Sequence, residues 1–223
     1  MKKLNKEKKS CKDVFNSFML SKATYVGYLE FPVVDGIKEI PQDLICFSKI
    51  QTLDDYSKWI HPYEHDYVIE RIWKYPQKYL PIIKKYAGII SPDFSLYRDM
   101  PLIMQIYNIF RSRTIARWLQ DNGVKVIINV RFGDKRTYRI ACMGIPKHCT
   151  IAIGTHGTMK DREDRKILED GVAFVLKELE PSALLIYGTV SKTIIDLCKK
   201  SNVQLIVFQS DFGKSHLKDK EVR

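Results

Sequence analysis

From about residue 86 onward the chain alternates short runs of β-branched and aliphatic residues with longer amphipathic stretches. Parallel strands joined by crossover helices produce this pattern, because each strand must wait a dozen or more residues for its parallel neighbour. The runs fall at 88–91, 125–130, 150–153, 183–187 and 204–208. The last four lack a period of two, which predicts strands buried on both faces.

The stretches between them carry helix signals. Asp99 is placed to cap a helix whose first turn tolerates Pro101, with Leu102, Ile106, Ile109, Ala116 and Leu119 on one face and Gly123 at its end. Asp161, Glu163 and Asp164 suit a helix N-terminus, and Leu168, Val172, Val175 and Leu179 follow at helical spacing. A third helix is expected over about 190–200, capped by Thr189. The first 85 residues are broken by Pro32, Pro41, Pro62 and Pro76, which leaves a strand near 44–47 and a helix near 67–73. The aromatic residues there read as a cap packed over a sheet, with a surface for stacking bases as the alternative.

Together these features predict an α/β domain over 13–213 with a largely parallel sheet of about six strands, either doubly wound or an incomplete βα barrel. A basic arm (1–12) and a basic tail (214–223) flank it. The arm holds six lysines against Glu7 alone, so much of the formal charge of +11 sits at the ends rather than in a groove. A flexible arm of this kind touches phosphates without reading bases, and a solubilising terminus has the same composition.

No window approaches the ~18 uninterrupted apolar residues of a membrane span. Asp13, Asn16, Ser17 and Ser21 interrupt what would be the apolar part of a signal peptide. Five cysteines, with no C-x-x-C pair, fit reduced thiols and a cytoplasmic setting.

Ligands of parallel sheets bind beyond the carboxyl ends of the strands, so the residues just after each run are the candidates. The first run is followed by Asp93 and Ser95, the second by Arg131 and Asp134, and the third by Gly154, Thr155, His156 and Gly157. The fourth leads to Thr189, Ser191 and Lys192, and the fifth to Ser210 and Asp211. The glycine loop can present amides to an anion. His156, taken as the only histidine on this rim, is the general acid/base candidate. Asp93 and Asp134 are candidates to bind a metal or activate water, and Arg131 and Lys192 to clamp an anionic group.

Other motifs fail. Gly213-Lys214-Ser215 lacks the first glycine of a phosphate loop, and Asp211-Phe212-Gly213 stands without the other kinase motifs. His61-Pro-Tyr-Glu-His65 spells a zinc-protease order, but Pro62 would start the helix and leave His61 outside it as the cap. His148 and Cys149, as neighbours on a strand, would point to opposite faces.

The run from Gly88 to Pro101, then Asn108, Arg111, Arg113, the segment Asn129-Val-Arg-Phe-Gly-Asp134, Gly144-Ile-Pro146, Ile153 to Gly157 and Tyr187-Gly188 together resemble an uncharacterised domain family, DUF4417. That family is found in gut bacteria, phages and other mobile elements. The resemblance spans about residues 45–212 and implies a single domain in a mobile-element setting. It supplies no activity, cofactor or catalytic residue.

Two functions are therefore carried forward. The first is an enzyme acting by hydrolysis or group transfer on a phosphate-bearing ligand, a nucleotide or a nucleic-acid end. The second is a non-catalytic nucleic-acid- or nucleotide-binding accessory of a mobile element, using the lysine arm with Arg111, Arg113 and Arg117 of the long helix.

Overall fold

The computed structural model describes residues 13–155, 157–159 and 161–209. A short antiparallel pair, β1 (Tyr25–Val26) and β2 (Phe31–Pro32), precedes the main sheet. The sheet strands are β3 (Leu44–Cys46), β4 (Trp59–His61), β5 (Gly88–Ile90), β6 (Val126–Asn129), β7 (Thr150–Gly154), β8 (Ala183–Tyr187) and β9 (Gln204–Phe208). Six helices connect them or follow them in the chain: α1 (Asp66–Lys74), α2 (Pro76–Ile83), α3 (Leu102–Asp121), α4 (Tyr138–Cys142), α5 (Arg162–Leu179) and α6 (Lys192–Lys200).

All seven sheet strands run parallel, and their spatial order is their chain order, β3 to β9. A doubly wound sheet must reverse strand order at a switch point. This one never does, so of the two expected architectures the incomplete barrel is the one formed. Right-handed crossovers that always step the same way leave the helices on one face, and the other face curls inward as a half-barrel.

Side-chain alternation along the strands serves the two faces separately. Ile60, Ile89, Val126, Ile128, Ile151, Ile153, Leu184 and Ile186 join the core beneath the helices. Trp59, Ile90, Ile127, Ala152 and Leu185 form a second cluster on the inner face. The tight curl requires a residue without a side chain beside the indole of Trp59, since a Cβ on Gly88 would lie 2.3 Å from that ring. The segment before β3 closes the amino end of the half-barrel. There Thr150 donates its backbone N–H to Ile37 O at 2.7 Å, and Ile37 packs on the inner cluster.

Several expectations are corrected. The sheet has seven strands rather than six, because β4 is a three-residue strand ended by Pro62. Pro76 opens α2 at its first turn instead of breaking the chain. β9 is not buried on both faces: it lies at the sheet edge, with Gln204 and Val207 exposed. Pro101 occupies the N-cap position of α3, and Asp99 makes no cap. Ser191, not Thr189, caps α6, accepting the N–H of Ile194 at 3.3 Å. His148 stands before β7 in a left-handed turn with φ of 60°. His61 ends β4, and α1 begins only at Asp66, so His61 and His65 never share a helical face. Asp161 caps α5 as expected, accepting the N–H groups of Glu163 and Asp164 at 2.9 Å each.

Among the described residues no helix is long and apolar enough to cross a membrane. Cys46, Cys142, Cys149 and Cys198 are free thiols.

Candidate functional site

At the carboxyl ends of the strands the half-barrel opens into a cavity of about 1030 Å³. Its centre is a chain of polar side chains set by strand geometry. Asn129 is the last residue of β6 and Arg131 lies two positions on, so the period of two turns both to the same inner face. The Asn129 backbone N–H donates to Ser91 Oγ at 2.9 Å, which ties the end of β6 to the end of β5. Its side-chain Nδ2 donates to Asp93 Oδ1 at 2.6 Å, and its Oδ1 accepts from Tyr63 Oη at 3.1 Å. Asp93 therefore presents its second oxygen toward Arg131, whose Nη1 stands 4.0 Å away. Arg131 Nη1 also donates to Gly154 O at 3.3 Å, and its Nε has no acceptor among the described residues.

Burial pushes the Asp93 carboxyl above the usual carboxylate range. Arg131 and the Asn129 hydrogen bond oppose that rise, and Asp66 adds to it. Burial also lifts Tyr63 well above the ordinary phenol value, with the Asp93 charge contributing, so its hydroxyl acts as a neutral donor.

Tyr63 reaches back over the inner face to Gly154, where a Cβ would fall 2.7 Å from its ring. Its ring stacks on Tyr187 with centroids 4.8 Å apart and planes 14° apart, and His61 lies 4.4 Å from Tyr187. Three aromatic planes thus line the floor beside the Asp93–Arg131 pair.

The rim is held by ion pairs and hydrogen bonds between loops. Asp66 accepts from both the N–H and the hydroxyl of Ser95, each at 3.1 Å. Arg98 reaches Glu163 at 2.5 Å and Asp164 at 3.6 Å, joining the loop after β5 to the start of α5. Among the described residues lining the cavity, the carboxylates of Glu64, Asp66, Asp93, Asp99 and Asp164 outnumber the guanidiniums of Arg98 and Arg131. No group of three His, Cys, Asp or Glu side chains among the described residues is arranged to hold a metal ion.

The structure brings Asp93, Ser95, Arg131, Gly154 and Gly157 together on this cavity. Among the described residues, Asp134, Thr155, Thr189, Ser191 and Lys192 do not line it. Asp134 is bound by Arg136 at 2.7 Å, which holds its carboxyl below the usual range. Thr155 is buried, and its hydroxyl donates to Thr189 O at 2.7 Å, so that pair fastens β7 to the loop after β8. Ser191 caps α6, and Lys192 faces a separate groove with Thr193, Asp196, Leu197 and Lys200. His156, Ser210 and Asp211 lie outside the described residues. His156 is also not the sole histidine of the rim, because His61 and His65 line the cavity.

His61, Tyr63, Asn129 and Tyr187 were missed. Asn129 and Tyr187 are the last inward residues of their strands, and a period-two count from the strand middle finds both. His61 and Tyr63 flank Pro62, and their short strand carries no comparable signal.

The long-helix arginines are consumed internally. Arg111 pairs with Glu70 at 2.7 Å and lies 4.0 Å over the Phe94 ring, and Arg117 binds Asp35 and Asp121. Arg113 is buried.

Fold and site together define a parallel βα half-barrel with a ligand-sized cavity at the carboxyl ends of its strands. The chain belongs to the family described as Domain of unknown function (DUF4417), which matches residues 23–208. It is similar to the Gene 1 protein of Mycobacterium phage D29, 31% identical over 129 residues that cover 58% of this chain and 48% of that protein. The Gene 1 protein of Mycobacterium phage L5 is 30% identical over 129 residues, covering 58% of this chain and 56% of that protein. The matched region thus spans about half the length of these phage relatives. No solved structure matches.

Proposed function

We propose that this phage-associated protein is an enzyme that carries out hydrolysis or group transfer on a phosphate-bearing ligand, with Asp93 as the proton donor and acceptor and Arg131 as the anion anchor. The observation that carries the reading is the Asp93–Asn129–Arg131 arrangement on the wall of the cavity. It pairs a half-buried carboxyl of raised pKa with a guanidinium whose Nη1 stands 4.0 Å from it. Asn129 fixes one Asp93 oxygen, and the other lies toward Arg131, where an anionic group held by that guanidinium would meet it. The role first given to Asp134 passes to Asp93 alone, and that of Lys192 to Arg131. His156 stays a candidate second acid/base by its place in the glycine loop.

The test follows phosphorus and base signals by nuclear magnetic resonance while the full chain is incubated with a panel of nucleotides. Asp93→Asn lowers turnover about a hundredfold or more while the fold persists. Turnover equal to wild type in that variant would sink the assignment. The non-catalytic nucleic-acid reading loses its helix arginines to internal pairs and retains only the lysines of residues 1–12.

A further inference from the structure

We infer that the solvent face where α1 meets α2 binds the backbone of single-stranded nucleic acid, with Lys74, Lys78, Lys84 and Lys85 neutralising phosphates and the Tyr75 ring stacking on a base. This surface is separate from the cavity, uses none of the long-helix arginines and does not rest on the role given to Asp93.

Between Arg71 and Lys85 the chain carries five cations and no Asp or Glu. Helical spacing gathers them. α2 buries Pro76, Tyr79 and Ile83 and leaves positions 77, 78, 81, 84 and 85 in solvent, so Lys78, Lys84 and Lys85 share one face. Lys74 is exposed at the end of α1, four positions before Lys78. Among the described residues none of these four lysines is ion-paired. Lys78 and Lys85 rest against the rings of Tyr79 and Tyr56, 5.8 and 5.7 Å from their centroids. The carboxylate that precedes them in the chain, Glu70, is taken by Arg111. Their charge is left for an anion from outside.

The amino-terminal lysines join the fold at the same corner, because Asn16 Nδ2 donates to Trp73 O at 2.9 Å only three residues after the described chain starts. A ligand with phosphates repeated along one chain matches charge repeated along a helix, and each neutralised phosphate releases counterions. Tyr75 stands between Lys74 and Lys78 and is 58% exposed. A duplex conceals the base faces on which such a ring stacks, and a single strand offers them. A lipid surface needs an apolar face to enter it, and the exposed positions of α2 hold no Leu, Ile, Val, Phe or Trp.

Fluorescence anisotropy of the full chain tests this with a labelled thymidine oligonucleotide of about 20 nucleotides, longer than the usual single-strand site, and a duplex of equal length. Sedimentation with phosphatidylserine vesicles supplies the lipid arm. The single strand binds, and neutralising four phosphates makes its affinity fall about fiftyfold between about 50 and 200 mM salt. The combined variant Lys74→Gln, Lys78→Gln, Lys84→Gln and Lys85→Gln keeps the wild-type melting transition and loses most of that salt dependence, with about tenfold or more of the affinity at the lower salt. A control with the same loss of charge, Lys177→Gln, Lys192→Gln, Lys199→Gln and Lys200→Gln, loses less than about threefold. Tyr75→Ala weakens the single strand about fivefold or more and leaves the duplex unchanged.

Equal losses in the two combined variants overturn the inference, as does a duplex bound as tightly as the single strand, a Tyr75→Ala variant that binds like wild type, or binding to vesicles alone. Loss of all binding on removal of residues 1–12 assigns the contact to those lysines and overturns the folded surface. An oligonucleotide that Asp93→Asn no longer binds sits in the cavity instead, which also overturns it. The other failures leave the role of Asp93 standing.

Discussion

Replacing Arg113 by methionine should make the protein more stable. Arg113 is 1% exposed on α3 and gives one hydrogen bond, from Nη2 to Ala141 O at 2.9 Å. Its Nε and Nη1 have no acceptor among the described residues, and the titratable groups that act on it are the thiols of Cys142 and Cys149 rather than carboxylates. Burial drags its pKa from the ordinary guanidinium value down to about 10. At ~1.4 kcal/mol per pH unit, that drop corresponds to about 3 kcal/mol of destabilisation in the folded charged state.

Methionine fills the same elongated space without the charge and gives up the bond to Ala141, worth about 1 kcal/mol. The net gain is about 2 kcal/mol, seen as a higher urea midpoint and a melting temperature raised by roughly 4–8 °C for a chain of this size. The sign with pH is fixed. For a base whose folded pKa is depressed, the penalty is complete below the folded value and fades only as pH climbs from about 10 toward the unfolded value. The gain is therefore equal at pH 6 and pH 8. A loss of 1 kcal/mol or more in Arg113→Met would show that the guanidinium is held by a stronger acceptor than Ala141 O, and the desolvation argument would fail.

Three further outcomes are expected. Gly154→Ala drives a methyl to 2.7 Å from the Tyr63 ring and 3.3 Å from Asp93 Oδ2, so the ring must move; near-ultraviolet circular dichroism changes, and stability drops by about 1–3 kcal/mol. Asp161→Ala strips the α5 cap and costs about 1 kcal/mol by urea denaturation. Asp93→Asn leaves stability unchanged or improved at pH 7, because an acid whose folded pKa is raised costs stability once both states are ionised and regains it as pH falls through that raised value. Urea midpoints measured at pH 7 and pH 4 should therefore converge between variant and wild type at the lower pH.

The second half of the fold was legible because its strands are continuous apolar runs four or five residues long, separated by helices with clear caps such as Asp161. The first half was not, because β4 holds three residues and α2 opens with Pro76 and contains Pro81, both of which resemble breaks. Counting residues past the strand ends located Asp93, Ser95, Arg131, Gly154 and Gly157. The same count misplaced Lys192, which begins α6 on a separate groove. Arg111 and Arg117 looked like a basic face because their partners Glu70, Asp35 and Asp121 are set by packing, which spacing alone does not reveal. Tyr63 belongs to the same class: its role depends on contacts with Asn129 and Gly154, each more than sixty positions away.

Because every strand of the sheet from β3 to β9 adds beside the one made just before it, the polypeptide can be assembled in the direction of synthesis. Each newly released βα unit finds its partner already in place as the ribosome moves on. Sequential addition of this kind keeps entropic closure costs small, since no segment waits for a distant later one to complete the sheet. The incomplete intermediate at each stage exposes a single growing border, and among the described residues that border is β9.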